Sequence, residues 1–162
     1  MASHSLVNLA REFWSDESGF ARQHGHAWFV WKVGRPSEAP IVQPTLTIGG
    51  RDAKPRSGDP LAIPIVKGKA SVFAMGITIG RTENNDVVLR HEEVSRFHAY
   101  VQDGGGTLSL VDADSKNGTW VNGLKLLPSK PQPLPATAVV KFGQLQITYY
   151  DRAAFIDFLR NP

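Results

Sequence analysis

From Ile63 onward the chain is a series of short β-type runs separated by turn residues: Ile63 to Val66, Ile77 to Ile79, Asp86 to Leu89, Phe97 to Val101, Leu108 to Val111, Trp120 to Val121, Val139 to Phe142 and Leu145 to Tyr150. Many short strands at close spacing, with no helical period between them, predict an all-β fold, an antiparallel sandwich or barrel. Asn122-Gly123 lies between Thr119-Trp120-Val121 and Leu124-Lys125-Leu126. It is the dipeptide that a two-residue type I′ hairpin requires, because both positions need positive φ. Gly104-Gly105-Gly106, with a strand on either side, reads as a further hairpin turn and not as a nucleotide-binding loop. After Asp151, the residues Ala153, Ala154, Phe155, Phe158 and Leu159 supply the apolar stripe of a closing helix that docks on the sandwich.

The first part of the chain has a different texture. Leu6, Leu9, Ala10 and Phe13 share one face of a short helix, with Ser3 or Ser5 available as its N-cap. Trp28, Phe29, Val30, Trp31 and Val33 suit a buried strand. The same run exposed would be a surface for gripping a second partner, and burial decides between the two. Gly34 to Pro64 holds six prolines and four glycines and reads as loop or linker. Residues 1–60 are therefore expected to form an N-terminal extension with a short helix, a strand and a Pro/Gly-rich linker, followed by the main domain at 61–150 and a C-terminal helix at 151–162.

Length and composition narrow the class. At 162 residues, with 41% apolar and 20% charged positions, the chain has the make-up of one domain that folds unaided. The cysteine count is 0, which excludes disulfides and thiolate metal sites and is compatible with a reducing compartment. Met1 to Ala10 lacks the charged start and apolar run of a signal peptide, and no stretch approaches a membrane span, so a soluble cytoplasmic protein is expected. The net charge of +3 is unevenly spread: residues 77–127 carry five Lys/Arg against seven Asp/Glu. An anion bound in that middle block must be held by a few placed side chains at short range, because the surrounding field does not favour it.

Three loop segments concentrate polar residues: Gly80-Arg81, Ser95-Arg96-Phe97-His98 and Ser115-Lys116-Asn117-Gly118-Thr119. An arginine, a hydroxyl and two further cations meeting at one point suit a phosphate, whose charge near −2 and three acceptor oxygens call for several charge-assisted donors. Other chemistries fit less well. A nucleophilic triad of Ser95, His98 and Asp112 or Asp114 lacks the G-x-S-x-G elbow. A metal site from His24, His26, His91 and His98 lacks ligand spacing. Lys54, Arg56, Lys67 and Lys69 have no interleaved aromatics to make a nucleic-acid surface.

Gly80-Arg81, Ser95-x-x-His98, Asn117-Gly118-Thr119 and Asn122-Gly123, in this order and at these separations, resemble a forkhead-associated (FHA) domain, closely across residues 77–126. The resemblance is to a single-domain, bacterial-type member with an N-terminal extension. It implies a two-sheet antiparallel β-sandwich of about eleven strands, running from about Leu61 to Tyr150, whose loops bind phosphothreonine peptides. It implies no catalytic role and no cofactor. The partner it implies is a phosphothreonine-containing protein, a Ser/Thr kinase or a kinase substrate, with neither nucleic acid nor membrane involved.

By the same resemblance Arg81 makes the charged contact to phosphate and the Ser95 hydroxyl donates a second hydrogen bond. Arg96 and Lys116 lend further donors, and Asn117 bridges to the ligand backbone. Gly80, His98, Gly118, Thr119, Asn122 and Gly123 support the loops. An FHA-fold scaffold that binds partners without phosphate is the alternative. Two features depart from the family pattern. Pro128 to Thr137, with four prolines, is expected to be a stiff protruding loop. The acidic pair Glu92-Glu93 is expected to weaken phosphate binding mildly if both side chains face the loop tips.

Overall fold

The computed structural model describes residues 4–5, 11–13, 15–16, 18–20, 26–31, 61–68, 74 and 76–161. Of the helix expected from Leu6, Leu9, Ala10 and Phe13, the first three positions lie outside them, as does most of the Pro/Gly-rich stretch after Gly34. Helical residues do occur at 11–13, 15 and 18–20.

Twelve strands among the described residues form two sheets. They are β1 (His4–Ser5), β2 (Ala27–Trp31), β3 (Leu61–Pro64), β4 (Ile77–Gly80), β5 (Val87–Val88), β6 (Ala99–Asp103), β7 (Leu108–Asp112), β8 (Thr119–Val121), β9 (Leu124–Lys125), β10 (Gln132–Pro133), β11 (Thr137–Phe142) and β12 (Leu145–Asp151). The larger sheet has the order β1-β3-β2-β12-β11-β8-β9 and the smaller β10-β7-β6-β4-β5. All pairs are antiparallel except β4 with β5. The β-sandwich expected from the spacing of short runs is the observed fold.

The main core fills the space between the sheets. Period-two alternation in β11, where Ala138, Val140 and Phe142 are buried and Thr137 and Val139 exposed, sends one face inward. Those residues meet Ile79, Val101 and Leu110 of the smaller sheet.

β2 is apolar at every position, and all five of its residues are buried. The cause is a second core on the outer side of the larger sheet, where Trp28, Val30 and Ala62 pack against Phe13, Phe20, Phe155 and Leu159. Trp28 stacks on Phe155 with ring centroids 4.5 Å apart. The aromatic run is therefore core, not exposed interface. Phe155 and Leu159 belong to the closing helix Arg152–Arg160, whose N-cap Asp151 accepts a 2.8 Å hydrogen bond from the Ala154 N–H.

β2 lies between β3 and β12, pairing with each in register, so the expected boundary at residue 60 falls between two hydrogen-bonded strands. The Pro-rich segment differs from expectation. Within it β10 joins the edge of the smaller sheet, the Leu134 N–H donates to the Leu108 carbonyl at 2.8 Å, and the Leu134 side chain is buried. An edge strand tolerates Pro133, since a missing N–H there removes no internal ladder bond.

The turns follow their residues. Asn122 and Gly123 have φ of 49° and 82°, as a type I′ hairpin needs. Asn122 also accepts a 2.8 Å hydrogen bond from the Val139 N–H through its side-chain oxygen, tying the hairpin to β11. In the glycine turn between β6 and β7, Asp103 accepts from the N–H groups of Gly105 and Gly106.

Candidate functional site

β4, β7 and β11 end, and β6 and β12 begin, at one end of the sandwich, so the loops after Gly80, before Ala99, after Asp112 and after Phe142 gather there. Backbone hydrogen bonds lock them together. The Arg81 N–H donates to the Ser95 carbonyl at 3.0 Å, and the Gly143 N–H donates to the Gly118 carbonyl at 2.9 Å.

Ser95 is the junction. Besides its carbonyl contact with Arg81, its N–H donates to His98 Nδ1 at 2.9 Å, and its Oγ accepts from the Lys116 N–H at 3.0 Å. Arg81, Ser95 and Lys116, three of the residues assigned to phosphate, are thus joined directly.

His98 is fully buried and spans two loops. Because its Nδ1 accepts from Ser95, the proton sits on Nε2, which donates to the Gly118 carbonyl at 3.0 Å. Burial holds its pKa below the ordinary value of 6.5, against the opposing pull of the Gly118 carbonyl and Asp112. Both ring nitrogens are committed to backbone groups, so His98 does not face the Ser95 hydroxyl as the base that a Ser95–His98 triad needs.

Arg96 is fixed by its carbonyl, which accepts from Asn85 Nδ2 at 2.7 Å and Thr82 Oγ1 at 3.0 Å. That carbonyl lies so close to Gly80 that a Cβ there would stand 2.2 Å from it. Glycine is required by this close approach. The side chains of Arg81, Arg96 and Lys116 are exposed, and among the described residues none of them is engaged in a hydrogen bond or ion pair.

Asn117 is half-buried, and its Nδ2 donates to the Glu93 carbonyl at 3.1 Å, so the side chain braces the loops. The Glu93 carboxylate accepts from the Gln144 N–H at 3.2 Å, which ties it to the turn between β11 and β12, while Glu92 is exposed. Of the acidic pair, Glu93 is therefore spent on scaffolding. Gly118, at φ 85°, donates its N–H to Ser115 Oγ at 3.1 Å. Thr119 is buried and its hydroxyl donates to Asp112 at 2.6 Å.

Three supporting residues escaped the sequence reading. Asp112, buried, accepts from the Ser115 hydroxyl at 2.6 Å, the Ser115 N–H at 3.1 Å and Thr119. Its signal was the Asp-x-x-Ser spacing, in which a carboxylate caps the backbone three residues on. Asn85 closes the Arg81 loop onto Arg96. Asp86, buried, accepts from the Thr78 N–H at 2.8 Å and the Gly68 N–H at 2.6 Å and pairs with Lys67 at 3.1 Å.

A cavity of about 1080 Å³ opens at the opposite end of the sandwich, beside His26, Lys67, Gly106, Tyr149 and Arg152, and shares no residue with this loop cluster. Among the described residues no group of His, Cys, Asp and Glu is placed to hold a metal ion, and no helix is long and apolar enough to cross a membrane.

Residues 77–143 match the family model for the FHA domain, a span that contains every loop of the cluster. No curated protein matches the chain. Among solved structures, the FHA domain of the CT664 protein from Chlamydia trachomatis is similar in fold, at 20% identity and a TM-score of 0.50, covering 78% of this chain and 98% of that one. Mycobacterium tuberculosis EmbR, solved in complex with a low affinity phosphopeptide, matches at 28% identity and a TM-score of 0.43 over 48% of this chain; the match spans only 20% of EmbR. The yeast Dun1 FHA domain, in complex with a doubly phosphorylated peptide derived from Rad53, matches at 21% identity and a TM-score of 0.46, covering 80% of this chain and 75% of that one. Residues 77–143 of this chain, which hold the loops that Ser95 and His98 join, match the FHA domain family.

Proposed function

We propose that this chain is a phosphothreonine-peptide binding module without catalytic activity, acting in the cytoplasm in phosphorylation-dependent protein interactions downstream of Ser/Thr kinases. The observation that carries the reading is the junction at Ser95, which ties the backbones of Arg81 and Lys116 together beside Arg96, three residues whose exposed cationic side chains have no anionic partner among the described residues. A dianion supplies the missing counter-charge. Arg81 offers a planar fork to two phosphate oxygens, Ser95 a neutral O–H donor, and Arg96 and Lys116 further positive charge. Asn117, braced by Glu93, orients the ligand backbone.

The threonine methyl adds apolar contact worth about 0.8 kcal/mol per buried carbon and restricts the free ligand's rotamers, which favours phosphothreonine over phosphoserine. A kinase thus switches the interaction on by creating the charge the site lacks. Titration of matched phosphothreonine, phosphoserine and threonine peptides against wild type and Arg81→Ala tests this. Phosphothreonine should bind most tightly, threonine negligibly, and Arg81→Ala weakly. Equal affinity for the three peptides would overturn the proposal.

A further inference from the structure

On the outer face of the larger sheet, beside the loop cluster, Lys141, Trp120 and Lys125 stand directly opposite one another on β11, β8 and β9. Each ammonium lies over the same indole, Lys125 Nζ at 5.5 Å and Lys141 Nζ at 5.6 Å from the ring centroid. The aromatic face holds both stems in place, so two charges are presented in a fixed arrangement at small entropic cost.

The row continues to Gln146, opposite Lys141, and carries no carboxylate. Among the described residues neither lysine has an ion-pair partner. Glu93, the acid beside the turn that follows β11, is committed to the Gln144 N–H. The row is also continuous with the site: a Cβ at Gly118 would touch the Trp120 ring at 3.0 Å and Lys125 Cε at 3.1 Å, and Gly118 follows Asn117.

We infer that Trp120, Lys125 and Lys141 form a cationic shelf that selects ligands carrying acidic side chains beside the phosphothreonine. The inference rests on the phosphothreonine reading of the neighbouring loops. An extended peptide advances about 3.3 Å per residue and reaches the shelf within a few residues of the phosphate. Two lysines held on one ring discriminate by charge without a deep pocket, because any carboxylate nearby gains both and a lysine is repelled by both.

The test uses three peptides that share one phosphothreonine and differ only in flanks of Asp/Glu, Gln/Ala or Lys. They are titrated by fluorescence anisotropy against wild type, a Lys125→Glu/Lys141→Glu double variant and Trp120→Val. Wild type should prefer acidic over neutral flanks by about three- to tenfold, in line with two exposed charge contacts, and lose the preference in high salt. The double variant should reverse the order, favouring the lysine-flanked peptide over the acidic-flanked one. Trp120→Val, with both charges kept but unheld, should retain a reduced preference. A wild type indifferent to flank charge, or a preference for acidic flanks that survives in the double variant, overturns the shelf while leaving phosphothreonine binding intact. Failure of every phosphopeptide to bind wild type overturns both.

Discussion

The Oγ of Ser95 accepts a 3.0 Å hydrogen bond from the Lys116 backbone N–H across 21 residues of sequence. One hydroxyl therefore aligns two loops through its lone pair and has its proton left to give. Arg81 reaches the same place differently: its backbone N–H is tied to Ser95, but its side chain is exposed and unengaged.

The two residues should separate binding from stability. Arg81→Ala should cost roughly ten- to a hundredfold in phosphopeptide affinity, the worth of a charge-assisted contact, and leave the melting temperature unchanged. Ser95→Ala should lose affinity and also about 1 kcal/mol of stability, because the Lys116 N–H loses its partner. Calorimetric titration beside thermal unfolding of both variants gives the comparison.

His98 predicts a pH dependence with a definite sign. Burial lowers its folded-state pKa from 6.5, so below that value the unfolded chain binds a proton that the folded chain resists. Its contribution is fully present above about pH 6.5 and is lost as the pH falls toward the folded value. Protonation of Nδ1 also removes the acceptor for the Ser95 N–H and pulls apart the junction. The urea midpoint should fall between pH 7.5 and pH 5, and His98→Gln, though less stable at neutral pH, should show a flatter profile over that interval.

What could be read in advance follows a physical divide. The Asn122-Gly123 hairpin was legible because only residues tolerant of positive φ fit a two-residue turn. Arg81, Ser95 and Lys116 were legible by resemblance, because loop motifs keep their order in the chain. β2 was legible as a strand but not as the neighbour of β12, since period and composition carry no information about pairing across more than a hundred residues. β10 was hidden because prolines mark loops in general, whereas an edge strand satisfies them equally well. Asp112, Asn85 and Asp86 were hidden for another reason: a polar residue folded inward to cap backbone looks, in sequence, like any solvated one.

Asp112 should be among the costlier polar positions. Replacing it with alanine leaves the Ser115 hydroxyl and N–H and the buried Thr119 hydroxyl without their acceptor. Unsatisfied buried donors cost about 1–3 kcal/mol each, moderated where water reaches Ser115. Asp112→Ala should thus lose about 3 kcal/mol and disorder the Ser115 to Gly118 loop, weakening phosphopeptide binding through a residue that never touches the ligand. Asp112→Asn keeps one acceptor oxygen and should recover part of both. Chemical denaturation with parallel peptide titration checks the pair.

The place of β2 predicts that a chain cut at residue 61 does not fold. Among the described residues β3 pairs only with β1 and β2, and β12 has β2 along one side. A chain cut to residues 61–162 therefore loses the strand that connects β3 to the sheet, exposes the edge of β12 and uncovers the face of Tyr150, Phe155 and Leu159 that Trp28 and Phe20 bury. It should be recovered aggregated or without a cooperative unfolding transition. In the full chain, Trp28→Ala should cost about 3–5 kcal/mol by opening a cavity between β2 and the closing helix. The loops joined at Ser95 lie at the other end of the sandwich from the Trp28 and Tyr150 pair, so Trp28→Ala should keep wild-type phosphopeptide affinity at temperatures where it is folded. A 61–162 chain that unfolds cooperatively and binds like wild type would show instead that the domain ends where the linker does.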